Sequence, residues 1–569
     1  MKKMTTIIES RLKEAFSQAG LDESYGRVSL SNRPDLCEYQ CNGCLAAAKA
    51  LHKNPIELAG QVVSVLKNSS DFESVEAVAP GFINLKLSGE ALSFFVKEMA
   101  CTDKFGLETE EEKTIIVDYG GANVAKPLHI GHLRSAIIGE SIKRLGAYMG
   151  NKMIGDVHLG DWGLQMGLII ENMPEGPVGI DQLEKIYPEA SARAKDDPDF
   201  AERAHQKTLL LQSGDPECRA KWNQIMEVSL ADLKKNYARL NVDFELWNGE
   251  STVNDLIPPL VQELQDKGLA YESEGALVVD VSEPDDKKEI PPCIVRKSDG
   301  AALYATSDLA TLQQREELYN PDVYIYITDK RQAMHFVQVF RVARLAKIVP
   351  DEHVLIHIGF GTMNGKDGKP FKTRSGGVMR LEELIVDTNE AVYNKIIENR
   401  DISDDEARKT AEIVGLAAIK YGDLSNQASK DYVFDIERFT SFEGNTGPYI
   451  LYTIVRIKSI LNKYLSEPGN TFCCDDILPC MNESEKKLEL ELIKYNEVLE
   501  NAWKELAPHK ICQYIYSVAE AFNSFYHNVM ILSEENIAKK KSYLAKIDLT
   551  KNILLDCIHI LGFEAPDKM

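Results

Sequence analysis

Residues 117–146 read VDYGGANVAKPLHIGHLRSAIIGESIKRLG. The stretch ends an apolar run begun at Thr114 and passes two glycines and a Lys-Pro pair. It then sets His129 and His132 around Gly131 and takes on helical periodicity. A strand, a glycine-rich turn and a helix in that order bring the chain to the carboxyl edge of a parallel sheet, where open α/β folds bind ligands. Gly120, Gly121 and Gly131 permit tight turns and close backbone approach, and the free amides at the helix start offer an anion site. Two histidines one turn apart at such a place can hydrogen-bond phosphate or ribose oxygens where negative charge builds up on a transferred phosphate. Composition alone gives about 0.01 matches to H-x-G-H in a chain of this make-up, so coincidence explains it poorly.

Outward from this turn, TIIVDY, KMIGDVHLGD, VYIYIT and VLIHIGF alternate with helical patterns, which predicts a doubly wound parallel sheet. A charged, mostly helical stretch at about 163–291 interrupts that rhythm and reads as an insertion. Before the sheet, residues 1–108 carry helices at 5–19, 43–51, 55–67 and 89–100 and a strand at FINLKLS, a small α+β unit followed by the charged linker TDKFGLETEEEK. From 381 to 569 strands nearly vanish and 3.6-residue periodicity dominates, which predicts an all-α bundle. The α/β unit is thus expected over 109–380.

The whole chain narrows the function classes. A length of 569 residues suggests roughly three or four domains. A net charge of −23 argues against nonspecific coating of nucleic acid, leaving room for a local basic patch. The opening MKKMTTIIESRLKEAFSQAG lacks an apolar signal core, and no run of about 18 apolar residues occurs, so a cytoplasmic location is expected and no membrane or DNA partner. Cys37, Cys41 and Cys44 cluster, as do Cys473, Cys474 and Cys480, without the paired spacing of a structural zinc site. They are expected to be free thiols, and no metal-ligating set is expected.

A second basic element follows VLIHIGF. GTMNGKDGKPFKTRSGG places Lys366, Lys369, Lys372 and Arg374 within nine residues between glycines, a composition fit to clamp pyrophosphate. An H-x-G-H turn in the first half and a basic loop after a strand of the second half is the layout of class I aminoacyl-tRNA synthetases. The chain resembles the arginyl-tRNA synthetases of that class along nearly its whole length. The blocks that carry the resemblance are NVAKPLHIGHLRS, HLGDWGLQMG, GES, LYATSDLA, DKRQAMHF, GKDGKPFKTRSGG, SFEGNTGPYILYTIVRI and LGFEAPDKM, in the family's order.

The resemblance implies a class I Rossmann-type fold and the two-step joining of L-arginine to tRNA(Arg), with ATP and Mg²⁺. It implies Asp308 and Glu250 for the arginine guanidinium, with Tyr304 framing the pocket and Asn123 and Gln332 at the substrate's amino and carboxylate end. It places the phosphates near His129, His132 and Lys126, and adenosine near Gly131 and His357. It also implies that pyrophosphate exchange requires tRNA. The family's second signature, K-M-S-K-S or K-M-S-T-R, is replaced here by KPFKTR. Aligned on the first form, Lys369 and Lys372 match its lysines; aligned on the second, Arg374 takes the last basic place, and Lys126 is a candidate for a missing cation. GGAN stands for the commoner S-P-N, and GLQMG for G-T-Q-F-G. In the bundle, Tyr449, Tyr452 and Arg456 fall on one helical face and are expected to touch the anticodon, while the N-terminal unit is expected at the outer corner of tRNA. A monomer is expected. Two alternatives are a class I synthetase for another amino acid, which the acidic pair opposes, and an RNA-binding relative without catalysis, which both histidines and the phosphate-site lysines oppose.

Overall fold

The computed structural model describes residues 1–33, 35–298, 303–369, 379–399 and 402–569. Four parallel strands form the central sheet: β1 (Thr114–Asp118), β2 (Lys152–Asp156), β3 (Val323–Asp329) and β4 (Val354–Phe360), in the order β4-β3-β1-β2. The direction of winding reverses between β1 and β3, so the loop leaving β1 opens at a topological switch point. Period-two alternation sends Ile115, Val117, Ile325 and Ile327 to one face and Ile116, Ile154, Tyr324 and Tyr326 to the other. Helix α1 (Ile130–Tyr148) belongs to the first cluster through Leu133 and Ile137. Helices α3 (Tyr304–Tyr319) and α4 (Ala333–Leu345) belong to the second through Leu309 and Val342. The helices therefore sit on both faces, as the alternation predicts.

The insertion begins with Leu164–Asn172 and then α2 (Ile180–Asp196), followed by Pro198–Gln212 and Pro216–Arg239. It also contains a three-stranded antiparallel sheet, Ala270–Ser273, Ala276–Val279 and Cys293–Arg296, in a stretch read as mostly helical. The strands are four residues long, too short for a period to show. Their local signal is the two-residue turn Glu274-Gly275, both at positive φ (51° and 81°), which closes a hairpin.

The first unit packs helices Met4–Gln18, Gly43–Leu51, Pro55–Leu66 and Gly89–Ala100 with a four-stranded antiparallel sheet that includes Phe72–Val78 beside Phe82–Leu87. It joins the C-terminal helices through charge. Lys486 pairs with Glu38 (2.9 Å) and Glu73 (2.7 Å), while Ser93 donates to Glu489 (2.8 Å). Behind them Lys546, fully buried, lies 2.5 Å from both Glu485 and Glu489. Cys101 and Cys474 form a disulfide across the same junction, with Cα atoms 5.8 Å apart. This corrects the free-thiol expectation for Cys474: the partner stands 373 residues away, where sequence spacing carries no signal. One apolar cluster runs from Leu12 through Val117 to Ile454, so the three units share a core.

Beneath the carboxyl ends of the strands lies a buried charge triad. Arg315 of α3 is 2.6 Å from Asp118 and 2.7 Å from Asp156, register partners on β1 and β2, and donates to the Tyr326 hydroxyl of β3 (3.0 Å). Burial raises the Asp118 carboxyl, with Arg315 opposing. Replacing Arg315 with Ala should cost about 3–5 kcal/mol in chemical denaturation, because two buried carboxylates lose their partner. Arg331→Ala, at a side chain 83% exposed, should cost under about 0.5 kcal/mol. Without the guanidinium that opposes it, burial holds the Asp118 carboxyl still further above its unfolded value, so the folded variant binds more protons than the unfolded chain. Its deficit should grow as pH rises above about 4 and shrink below that.

Candidate active site

The loop leaving β1 is laid against two others. Asn123 bridges Gly160 in parallel, with Val124 N–H donating to Gly160 O (3.2 Å) and Gly160 N–H to Ala122 O (3.0 Å). Leu159 in turn bridges Gly249, and Glu250 N–H donates to Leu159 O (3.1 Å). The sheet is thereby extended past its last regular pairs, which sets Asn123 and Glu250 two loops apart. A Cβ on Gly160 would stand 2.1 Å from the Asn123 side-chain oxygen, and one on Gly249 would stand 2.5 Å from the Asp161 carboxylate. Both glycines are therefore required by close approach.

His129 caps α1. Its Nδ1 accepts from Gly131 N–H (3.0 Å), and Nδ1 of His132 accepts from His129 N–H (3.2 Å), leaving the rings 3.9 Å apart. A neutral imidazole that accepts at Nδ1 carries its proton on Nε2. Both rings are held neutral: burial lowers His129, with Lys126 adding to it, and burial pushes His132 down to about 3. The turn thus offers two Nε2–H donors at a helix N-terminus. Gly131 answers why glycine separates them, since a Cβ there would lie 2.6 Å from Cε1 of His129.

Across the crevice, Glu250 faces Asp308 of α3. Burial raises Glu250 to about 8, and the charges of Asp308 and Asp161 add to the shift. Asp308 Oδ2 lies 2.5 Å from Nε2 of His335 on α4. Asp161, buried, accepts from Ser251 N–H (2.9 Å) and its hydroxyl (2.5 Å), which fixes the turn that carries Glu250. Tyr304 stands at the mouth, 72% exposed, and burial, Glu250 and Tyr187 all raise its hydroxyl. Gln332 ends the short turn before α4 and is exposed. His357 of β4 stacks on Phe336 (4.7 Å, 14°) and meets the Thr328 hydroxyl at 2.9 Å; burial lowers it, and His335 adds.

These contacts form an arc: His357 by Phe336, His335 on Asp308, Asp308 acting on Glu250, Glu250 and Tyr187 on Tyr304, and Tyr187 under Lys126 beside the histidines. Eight sequence-predicted residues, Lys126, His129, Gly131, His132, Glu250, Tyr304, Asp308 and His357, thus lie along one arc, with Asn123 and Gln332 on neighbouring loops. His335, Asp161 and Tyr187 belong to it as well and were not read from the sequence. His335 sits in DKRQAMHF and Asp161 in HLGDWG, so block membership was the available signal. Tyr187, on an inserted helix, had none.

The basic loop is described as far as Lys369, whose N–H donates to Asp367 (3.1 Å). Lys372 and Arg374 lie outside the described residues. Lys366 is drawn toward Asp435 (3.2 Å). In the bundle, Asn523 joins the aromatic face, donating to the Tyr449 hydroxyl (2.9 Å) and accepting from Arg456 (2.7 Å). The Arg456 guanidinium covers the rings of Tyr452 and Tyr526 at 4.7 and 5.2 Å. All three expected residues stay partly exposed.

Comparison with known proteins agrees along the chain. The family model for the catalytic domain of class I (R) tRNA synthetases matches residues 96–436, that for the arginyl tRNA synthetase N-terminal domain 2–87, and that for the DALR anticodon binding domain 450–569. The arginine–tRNA ligase of Agathobacter rectalis is 55% identical, with 100% of each chain covered, and that of Alkaliphilus oremlandii 50%, with 99% covered. The solved arginyl-tRNA synthetase of Plasmodium falciparum superposes with a TM-score of 0.82 at 26% identity over 100% of both chains. That of Thermus thermophilus shares the fold, with a TM-score of 0.78 at 21% identity over 100% of both chains. A crevice that pairs two carboxylates opposite an H-x-G-H turn, on a sheet of this winding, is therefore found in a chain that belongs to the arginyl-tRNA synthetase family of class I.

Proposed function

We propose that the arc of residues described above carries out the family's arginine–tRNA ligation in this chain as follows. Glu250 and Asp308 take the guanidinium, Tyr304 closes over the side chain, and Asn123 and Gln332 hold the amino and carboxylate end. ATP places its adenosine by Gly131 and His357 and its phosphates by His129, His132 and Lys126. A carboxylate oxygen of arginine attacks the α-phosphorus, forming a mixed anhydride as the bond to pyrophosphate breaks. The terminal 2′-hydroxyl of tRNA(Arg) then attacks the activated carbonyl, and AMP leaves.

No side chain forms a covalent bond in either step, so catalysis rests on position and on charge stabilisation. The two neutral Nε2–H donors face the phosphates, where charge develops, and deliver hydrogen bonds with no proton to lose. Lys126, Lys369, Lys372 and Arg374 are the candidate cations for departing pyrophosphate. Among the described residues no group of three or more His, Cys, Asp or Glu side chains is placed to hold a metal. Mg²⁺ would accompany ATP as the counter-ion of its phosphates and would supply positive charge there, beside the donors of His129, His132 and Lys126.

We assign residues 1–108 to the outer corner of the tRNA, 109–380 to catalysis and 381–569 to the anticodon, with Tyr449, Tyr452 and Arg456 as contacts there. The enzyme is placed in the cytoplasm and works as a monomer. Among the described residues no helix is long and apolar enough to cross a membrane.

The observation that carries the pocket assignment is the acidic pair itself: among the described residues Glu250, raised to about 8 by burial and by the charges of Asp308 and Asp161, makes no ion pair, and Asp308 meets only His335. Asp308→Asn keeps the shape and removes one charge opposite the guanidinium, and should lower kcat/KM for arginine by about 2–5 kcal/mol while leaving ATP binding nearly unchanged. A variant that charges arginine within a few-fold of wild type removes Asp308 from the pocket.

The raised Glu250 also fixes a pH dependence. Below about pH 8 the empty site holds a proton on Glu250 that a guanidinium must expel. Arginine affinity should therefore climb as pH rises toward 8, by up to about tenfold per unit, and level off above it. Calorimetry in buffers of differing ionisation enthalpy should record proton release at pH 7 for the wild type and none for Glu250→Gln.

A further inference from the structure

Lys126 is held from the insertion. Its Nζ lies 4.1 Å from the centroid of the Tyr187 ring, and Tyr187 stands on α2. Among the described residues Lys126 makes no ion pair, so this ring face is the group that meets its charge at the edge of the crevice. Burial lowers the Lys126 ammonium. An aromatic face attracts a cation more strongly as water is withdrawn, which offsets that burial.

A second attachment fixes where α2 sits. The backbone of Arg380 bridges His129, and Ile130 N–H donates to Met379 O (3.1 Å). The guanidinium of the same Arg380 reaches forward to α2, where it pairs with Glu184 and lies 3.4 Å from Asp181. Glu184 and Tyr187 are three residues apart and share one face of the helix. Thus α2 is tied to the H-x-G-H turn at two points: an ion pair to Arg380, the bridge partner of His129, and a ring under Lys126. Tyr187 also lies within electrostatic reach of Tyr304, so one inserted side chain spans the phosphate and arginine ends of the crevice.

We propose that Tyr187 is a positioning residue for adenylate formation: through its ring, the inserted helix α2 holds Lys126 beside His129 and His132, in place to meet the pyrophosphate. The inference rests on the role given to Lys126 above. It makes the insertion part of the active site, so that a shift of α2 moves the cation with it.

The test is single-turnover formation of arginyl-adenylate with tRNA present, in a cycle of Lys126→Ala, Tyr187→Leu and the double variant, with Tyr187→Phe beside them. Tyr187→Leu should lower the rate about 3- to 30-fold, the range of a partly desolvated cation–π contact, with arginine affinity unchanged. Tyr187→Phe keeps the ring face and should recover to within about twofold of wild type. In the Lys126→Ala background, Tyr187→Leu should have no further effect, which a purely structural role would not give. Multiplying effects, or a slow Lys126→Ala beside a normal Tyr187→Leu, overturn the inference while leaving the lysine's role intact. A wild-type rate for Lys126→Ala overturns that role and the inference together.

Discussion

Two carboxylates at adjacent strand ends, Asp118 and Asp156, cannot stay buried side by side without a cation, and Arg315 supplies it from α3. That constraint orders the rest of the crevice. It pins the carboxyl ends of β1, β2 and, through Tyr326, β3, and those ends launch the loops that carry the H-x-G-H turn, Asn123 and the turn before α4. It also fixes the rotation of α3 about its axis. Tyr304, Asp308 and Arg315 are spaced i, i+4 and i+11, so the helix that clamps the strands presents Asp308 and Tyr304 to the crevice on the same side. A buried pair of this kind is often no stabiliser in net terms; its use here is to specify geometry.

Desolvation then prepares the crevice for charges that only substrates bring. It raises Glu250 on one side and lowers His129 and His132 on the other, so the empty site carries less charge than its residue types suggest. On the proposed reading, a guanidinium restores the ionised form of Glu250, and phosphate oxygens meet neutral donors that need no reorganisation as charge builds up. The −23 net charge of the chain is compatible with this, because the cations proposed to meet the phosphates, Lys126 at the turn and the lysines of the loop after β4, need act only locally. The enzyme is an arginine–tRNA ligase by family.

Much of this was legible in the sequence. TIIVDY, VYIYIT and VLIHIGF announce strands because an apolar run bounded by glycine or charge has few other uses, and the blocks around HIGH, LYATSDLA and DKRQAMHF placed the crevice residues without geometry. What escaped shares one cause, dependence on contacts far apart in the chain. Arg315, His335 and Tyr187 carry no local feature that sets them apart from other residues of their helices. The hairpin at Ala270–Val279 was lost to short strands, and the Cys101–Cys474 bridge to a separation of 373 residues. The residue type at position 131 was plain from the start, yet its reason, a histidine ring folded back over the helix start, is visible only in three dimensions.

The central claim is that the crevice selects a positive charge with two carboxylates. Citrulline matches arginine in shape and lacks that charge, so the most direct measurement is kcat/KM for tRNA charging with arginine and with citrulline under identical conditions. The account predicts that arginine is preferred by about 10³-fold or more, as for a site whose buried polar groups are left unpaired by the wrong ligand. Charging of citrulline within about tenfold of arginine would contradict it, because Glu250 and Asp308 would then not be reading charge.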